Sequence, residues 1–103
     1  SLEGLAQLLS TVKKVKKAAN KSLTLMGIAF TMMDRRLIQS NEIMLDIKKN
    51  FPPSSIFNTV IPRNVRISEA PSHGMPIMYY DKNSKGADAY NRLAAEIIKK
   101  LAD

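Results

Sequence analysis

An α/β fold, a parallel-sheet layer flanked by helices, follows from three observations in these 103 residues. Leu23 to Thr31 is a near-continuous apolar run, the pattern of a strand buried on both faces. Ile56 to Ile61 is a second short run rich in β-branched residues, stopped by Pro62. Apolar residues at helical spacing precede, separate and follow these runs, which gives the order α-β-α-β-α. Two strands joined through a helix form a βαβ unit, with a right-handed crossover expected. Strands this apolar need neighbours in the sheet and helices on both faces. The layer is therefore expected to be incomplete, with further strands supplied by missing chain or by a partner.

The first helix is predicted from Leu2 to about Ala19, with apolar residues at 2, 5, 8, 9, 12 and 15. Lys13, Lys14, Lys16 and Lys17 fall mostly off that stripe, in the last turns, where cations suit the negative end of the helix dipole. A solvent-facing basic end explains them as well as a ligand does. The pattern is already helical at the first residues, which reads as a fragment boundary. After the first strand, Met32-Met33-Asp34-Arg35-Arg36 is expected to be a polar loop. Ser40 is the candidate N-cap of a second helix, with Glu42 in its first turn and Lys48 and Lys49 in its last. Ile43, Met44, Ile47 and Phe51 form its buried edge, and Pro52-Pro53 stops it. Beyond Pro62, a Pro/Gly/Ser-containing stretch through Gly74 has room for a short helical turn, and Pro76 to Tyr80 reads as extended or irregular. The last helix starts at a Ser84 cap, and Tyr90, Leu93, Ala94, Ile97, Ile98 and Leu101 keep its spacing.

One small domain, or a piece of a larger one, fits this length. The chain has no cysteine, so it has neither a disulfide framework nor a thiolate metal site. No apolar run approaches the roughly 18 residues of a membrane helix. The net charge of +7 favours a polyanion such as DNA, RNA or an acidic membrane, although a solvated basic surface accounts for it too. The excess is uneven. Residues 1–50 hold nine Lys/Arg against four acids, and residues 51–103 hold seven against five.

No G-x-x-x-x-G-K-[ST] occurs in these residues, so no backbone phosphate cradle is assigned, and no catalytic residue is named. No spacing of His, Cys or carboxylates suggests a metal site. The single histidine, His73, sits in a Ser-His-Gly loop without positioned partners and is read as structural or surface-bound. Two loops carry the positive signal, both at the C-terminal ends of predicted parallel strands, the edge where open α/β sheets bind ligands. They are Asp34-Arg35-Arg36 and Pro62-Arg63-Asn64-Val65-Arg66. If the strands are neighbours, four arginines share one face, and their planar forks suit phosphate. Ion pairing within the chain, Arg66 with Glu69 or Arg35 with Asp34, carries equal weight on the residues alone.

Leu2-Glu3-Gly4-Leu5-Ala6-Gln7-Leu8-Leu9, Thr31-Met32-Met33-Asp34-x-Arg36 and Val60 through Gly74 resemble motifs of ParA/Soj-type chromosome-partitioning ATPases. The last of these is close to V-I-P-R-N-V-R-L-S-E-A-P-S-H-G almost letter for letter. Tyr80-Asp81, Ser84, Gly86-Ala87 and Ala89-Tyr90 also resemble the family's Y-D-P-x-S-x-G-A-x-A-Y. Departures are Leu37-Ile38-Gln39-Ser40 where T-N-L-S is frequent, Met75 for lysine and Lys82 for proline. The P-loop with its two lysines and the Walker B aspartate have no counterpart in these residues.

The resemblance implies that residues 1–103 are the C-terminal part of a P-loop-type three-layer ATPase domain. It implies a parent that binds ATP with magnesium, dimerises, binds DNA non-specifically and works with a ParB-like partner, cytoplasmic and on the nucleoid. By position, Arg36 and Arg66 take DNA phosphates. Pro62 and Arg63, with Met32, Met33 and Asp34, lie on the base side of the nucleotide. These residues alone are not expected to hydrolyse ATP. An inactive nucleic-acid-binding or assembly module that needs a partner to complete its sheet is the alternative. A MinD-like membrane-associated relative is the lesser one, and no membrane contact is expected.

Overall fold

The computed structural model describes residues 2–103. Helix α1 (Leu2–Ala18) leads through an irregular stretch to strand β1 (Ile28–Met33). Helix α2 (Ile38–Asn50) and a 3-10 turn (Pro53–Ser55) then lead to strand β2 (Ile56–Pro62). The chain continues through α3 (Val65–Glu69), a second 3-10 turn (Ala70–His73) and α4 (Ile77–Tyr80) into the long helix α5 (Lys85–Ala102). The predicted α/β class and the parallel βαβ unit are both present: β1 and β2 pair in parallel, with Ile28 opposite Ile56, Phe30 opposite Val60 and Met33 opposite Pro62. Arg63 N–H donates to the Met33 carbonyl at 3.0 Å and extends that ladder by one step. Among the described residues the sheet has these two strands only, consistent with a partial layer.

Packing concentrates around β2. Helix α5 lies along it, and Ala70, Ile77 and Ala87 form a buried cluster with Ile67, Tyr80 and Tyr90 against it. Ile61 is the largest fully buried side chain. Helix α1, by contrast, buries no residue, and Leu8, Leu25, Ile38, Leu45, Ile98 and Leu101 are exposed. A two-stranded sheet is marginal by itself. The apolar surface left open is what a larger sheet would cover.

Four assignments differ from the sequence reading. The first strand starts at Ile28 rather than Leu23, because its partner begins only at Ile56 and nothing lies opposite the earlier residues. It also takes in Met32 and Met33, which were expected in the loop. Helix α2 starts at Ile38, not after Ser40, since a turn closed by Leu37 N–H on the Asp34 carbonyl launches it earlier. Residues Ile77–Tyr80 are helical, not extended or irregular, because Tyr79 and Tyr80 N–H both fold back onto the Pro76 carbonyl. In α5 the Ser84 hydroxyl accepts from Ala87 N–H at 3.0 Å, as a cap should. Its buried residues, however, are Gly86, Ala87 and Ala89, while Ala94, Ile98 and Leu101 of the predicted stripe are exposed. The stripe encodes a surface that the described residues only partly oppose.

Candidate functional site

Parallel pairing brings the ends of β1 and β2 together, and an open cleft of about 1100 Å³ lies beside them. Met33, Asp34, Arg36, Pro62 and Arg63 line it together with Arg35, so five of the seven residues assigned to nucleotide or DNA from sequence meet there. Lys48 near the end of α2, and Lys85 and Arg92 of α5, also reach it. Sequence reading did not place these three at the cleft. Lys85 and Arg92 lie on α5, which α3, a 3-10 turn and α4 separate from β2, so only the folded chain returns them to this edge. Lys48, near the C-terminal end of α2, is likewise brought to the cleft only by the folded chain.

The arginines divide into paired and unpaired. Asp34, with its side chain only 12% exposed, accepts from Arg36 Nε at 3.0 Å and Nη2 at 2.9 Å, and from Arg36 backbone N–H at 3.0 Å. The sequence alternative had paired Asp34 with Arg35. The two-residue turn instead folds Arg36 back over the carboxylate. Arg92 pairs with Asp88 at 3.0 Å. Arg35, Lys48, Arg63 and Lys85 form no ion pair among the described residues, which leaves the cleft with a net positive lining.

Arg66 does not line this cleft, so the four arginines do not converge as expected. Asn64 caps α3 by accepting from Ile67 N–H at 3.4 Å, and the short helix carries Arg66 to Glu69 at 3.2 Å and to Asp81 at 3.3 Å. The Arg66–Glu69 pair is the intramolecular alternative that the sequence had left open. His73 stacks on Tyr80 with ring centroids 4.7 Å apart, in keeping with a structural role.

Met32 points elsewhere. It lines a separate pocket of about 340 Å³ with Thr31, Pro62, Arg63, Ile67 and Tyr90. Its φ of 53° is left-handed and strained for a residue with a side chain, and it falls in the register irregularity between Phe30 and Met33. Met33, its neighbour on the strand, faces the larger cleft, as the alternation of side chains along a strand places it.

The Arg36 contacts, first through its side chain and then through its backbone N–H, hold the Asp34 carboxyl at about 2, below its usual 3.8. A depressed carboxylate supports the turn above its ordinary range and loses that support as pH falls toward the lowered value. Arg36→Ala is expected to raise the Asp34 midpoint part of the way toward ordinary aspartate titration, because the backbone N–H at position 36 still donates to the carboxylate. Carboxyl carbon shifts followed by NMR from pH 6 to 2 measure it, and an unmoved midpoint would contradict the pairing.

No protein-family model matches the chain. It is 48% identical over 98 residues to the chromosome-partitioning ATPase Soj of Treponema pallidum, covering 95% of this chain and 38% of that protein. It is 48% identical over 97 residues to the sporulation initiation inhibitor protein Soj of Bacillus subtilis, covering 94% of this chain and 38% of the relative. Against the chromosome partitioning protein ParA of Caulobacter vibrioides the identity is 42% over 103 residues, all of this chain and 38% of the relative. No helix among the described residues is long and apolar enough to cross a membrane. The chain spans about 38% of the length of these relatives, and it is similar to these Soj and ParA proteins over nearly all of its own residues.

Proposed function

We propose that these residues are the C-terminal part of a partitioning ATPase domain and supply its DNA contacts and the base-side wall of its nucleotide site. The observation that carries this reading is the set of unpaired cations, Arg35, Lys48, Arg63 and Lys85, around the cleft at the ends of two parallel strands. That edge is the ligand edge of α/β sheets, and unpaired arginine and lysine suit phosphate. Arg36, with its side chain 87% exposed, and Arg66 add to the DNA contacts. Pro62 and Arg63 line both cavities, with Met33 and Asp34 in the larger and Met32 in the smaller.

In this reading the base lies against the apolar side chains of the smaller pocket, among them Met32, Pro62 and Ile67. The phosphates and magnesium are then held by other parts of the parent protein. ATP, when bound there, supplies the dimerisation and hydrolysis cycle. In this reading the parent works as a homodimer on non-specific DNA with a ParB-like partner, in the cytoplasm and on the nucleoid.

DNA binding tests it. With a labelled duplex of arbitrary sequence, Arg35→Glu with Arg63→Glu, and Arg36→Glu with Arg66→Glu, are each expected to weaken binding. The salt slope should fall by about 0.9 for every phosphate that is no longer neutralised. Unchanged affinity and slope in both double variants would reject the DNA role. An assembly module is the second reading, favoured by the exposed apolar residues and the unpaired edge of β1. Light scattering separates the two: a partnerless chain that stays monomeric at high concentration argues against assembly.

A further inference from the structure

Arg66 is the one arginine held by two carboxylates among the described residues. Its Nη1 lies 3.2 Å from Glu69 Oε2, and its Nε lies 3.3 Å from Asp81 Oδ2. The acids come from different segments, the last residue of α3 and the residue that closes α4. Glu69 is itself pinned, because the Tyr80 hydroxyl donates to the same Oε2 at 2.5 Å and His73 stacks on the Tyr80 ring. The Tyr80 hydrogen bond is the main influence that holds the Glu69 carboxyl below its ordinary value, so the acid stays charged beside the arginine.

The Arg66 side chain remains 54% exposed, so a ligand reaches it from solvent. A phosphate takes arginine best through two parallel N–H bonds. Here Nε and Nη1 are already engaged, and the two carboxylates outnumber the single cation they hold. A phosphate approaching Arg66 therefore meets occupied donors and a local negative excess.

We propose that Glu69 and Asp81 form an intramolecular latch that competes with backbone phosphate for Arg66, which binds DNA only when the latch opens. The latch rests on the reading of Arg66 as a phosphate contact. It sets the resting affinity of this corner low and makes engagement depend on displacing at least one carboxylate. Tyr80 and His73 act through Glu69 by fixing its position.

The test measures the anisotropy of a labelled duplex with the full chain. Asp81→Asn and Glu69→Gln are each expected to tighten binding about fivefold, the size of one close charge contact in a water-like medium. Arg66→Ala is expected to weaken binding, and to abolish the gain when combined with either. If Arg66→Ala weakens binding while neither acid variant tightens it, the latch is wrong and the phosphate reading stands. If Arg66→Ala has no effect in any background, both fall. Glu69→Gln also disturbs Tyr80, so the unmutated chain provides a second readout. The Arg66 Nε–H and Asp81 carboxyl NMR signals are expected to move together as duplex is added. Stationary signals at saturating DNA would overturn the latch.

Discussion

Replacing Gly86 with valine is expected to destabilise the chain by about 3 kcal/mol, the upper part of the range for overpacking a tight site. For a chain of this size that is a fall in Tm of roughly 12 °C or more, measured by circular dichroism. A Cβ built on Gly86 would lie 2.4 Å from Ile67 Cγ1, 2.7 Å from its Cδ1 and 3.1 Å from Asn64 Oδ1. Those groups cannot give way freely. Ile67 packs on the buried Ala70, Ile77 and Ala87 cluster, and Asn64 is the cap of α3. Gly86→Ala is expected to cost less, about 1–2 kcal/mol, because alanine's better helix propensity offsets part of the clash. Both variants push α3 away from α5, and with it Arg66. A Gly86→Val chain with an unchanged melting curve would mean that α3 is not seated on α5 as described.

The second large effect is expected at Glu96. Its carboxylate reaches from α5 to β2 and accepts Asn58 N–H at 2.9 Å and Thr59 N–H at 2.5 Å. Successive N–H groups of a regular strand point to opposite edges. Here both turn to one acceptor, because β2 takes five residues, Ile56 to Val60, to cover what β1 covers in three, Ile28 to Phe30. Glu96 closes that irregularity. Burial alone would push its carboxyl up, but hydrogen bonds from the Thr59 side chain and from the Asn58 and Thr59 backbones outweigh it and hold the carboxyl below its ordinary value. The lowered value means the contact is fully present above the ordinary glutamate range and is lost as pH falls through the folded-state value.

Glu96→Ala is expected to cost about 2–3 kcal/mol, since it removes charge-assisted bonds and leaves a buried backbone donor unpaired. Urea unfolding at pH 7 measures the loss. The difference between the unmutated chain and the variant should narrow as the pH is lowered beneath the ordinary glutamate range. A gap that stays constant with pH would show that the carboxylate's charge is not what holds the bulge. Lys100 braces the same region from one turn further along α5. It donates to the carbonyls of Met26 and Ser54 and lies 5.3 Å from the centroid of the Phe57 ring.

How much of the site was legible follows from the range of each interaction. The two loops at the strand ends could be read because Asp34-Arg35-Arg36 and Pro62 to Arg66 directly follow apolar runs, and parallel pairing sends both to one edge. The partner of each arginine could not be read that way. Arg36, not Arg35, folds back on Asp34, a choice made by the turn that starts α2. Arg66 meets Asp81, fifteen positions away, because α4 is helical where the sequence suggested extended chain. Pro76, read as part of that extended stretch, instead starts the helical turn.

By itself the sequence determined the α/β class, the order of the main elements, the Ser84 cap and the family motifs, all of which depend on neighbours within a few residues. Only the tertiary structure decided the register of β1 on β2, the bulge that Glu96 closes, the extension of β1 through Met32 and Met33 and the division of the arginines into paired and free. Those outcomes depend on groups distant in the chain competing for the same backbone donors and carboxylates. Periodicity and spacing record which face a residue prefers, but they carry no information about which distant partner wins it.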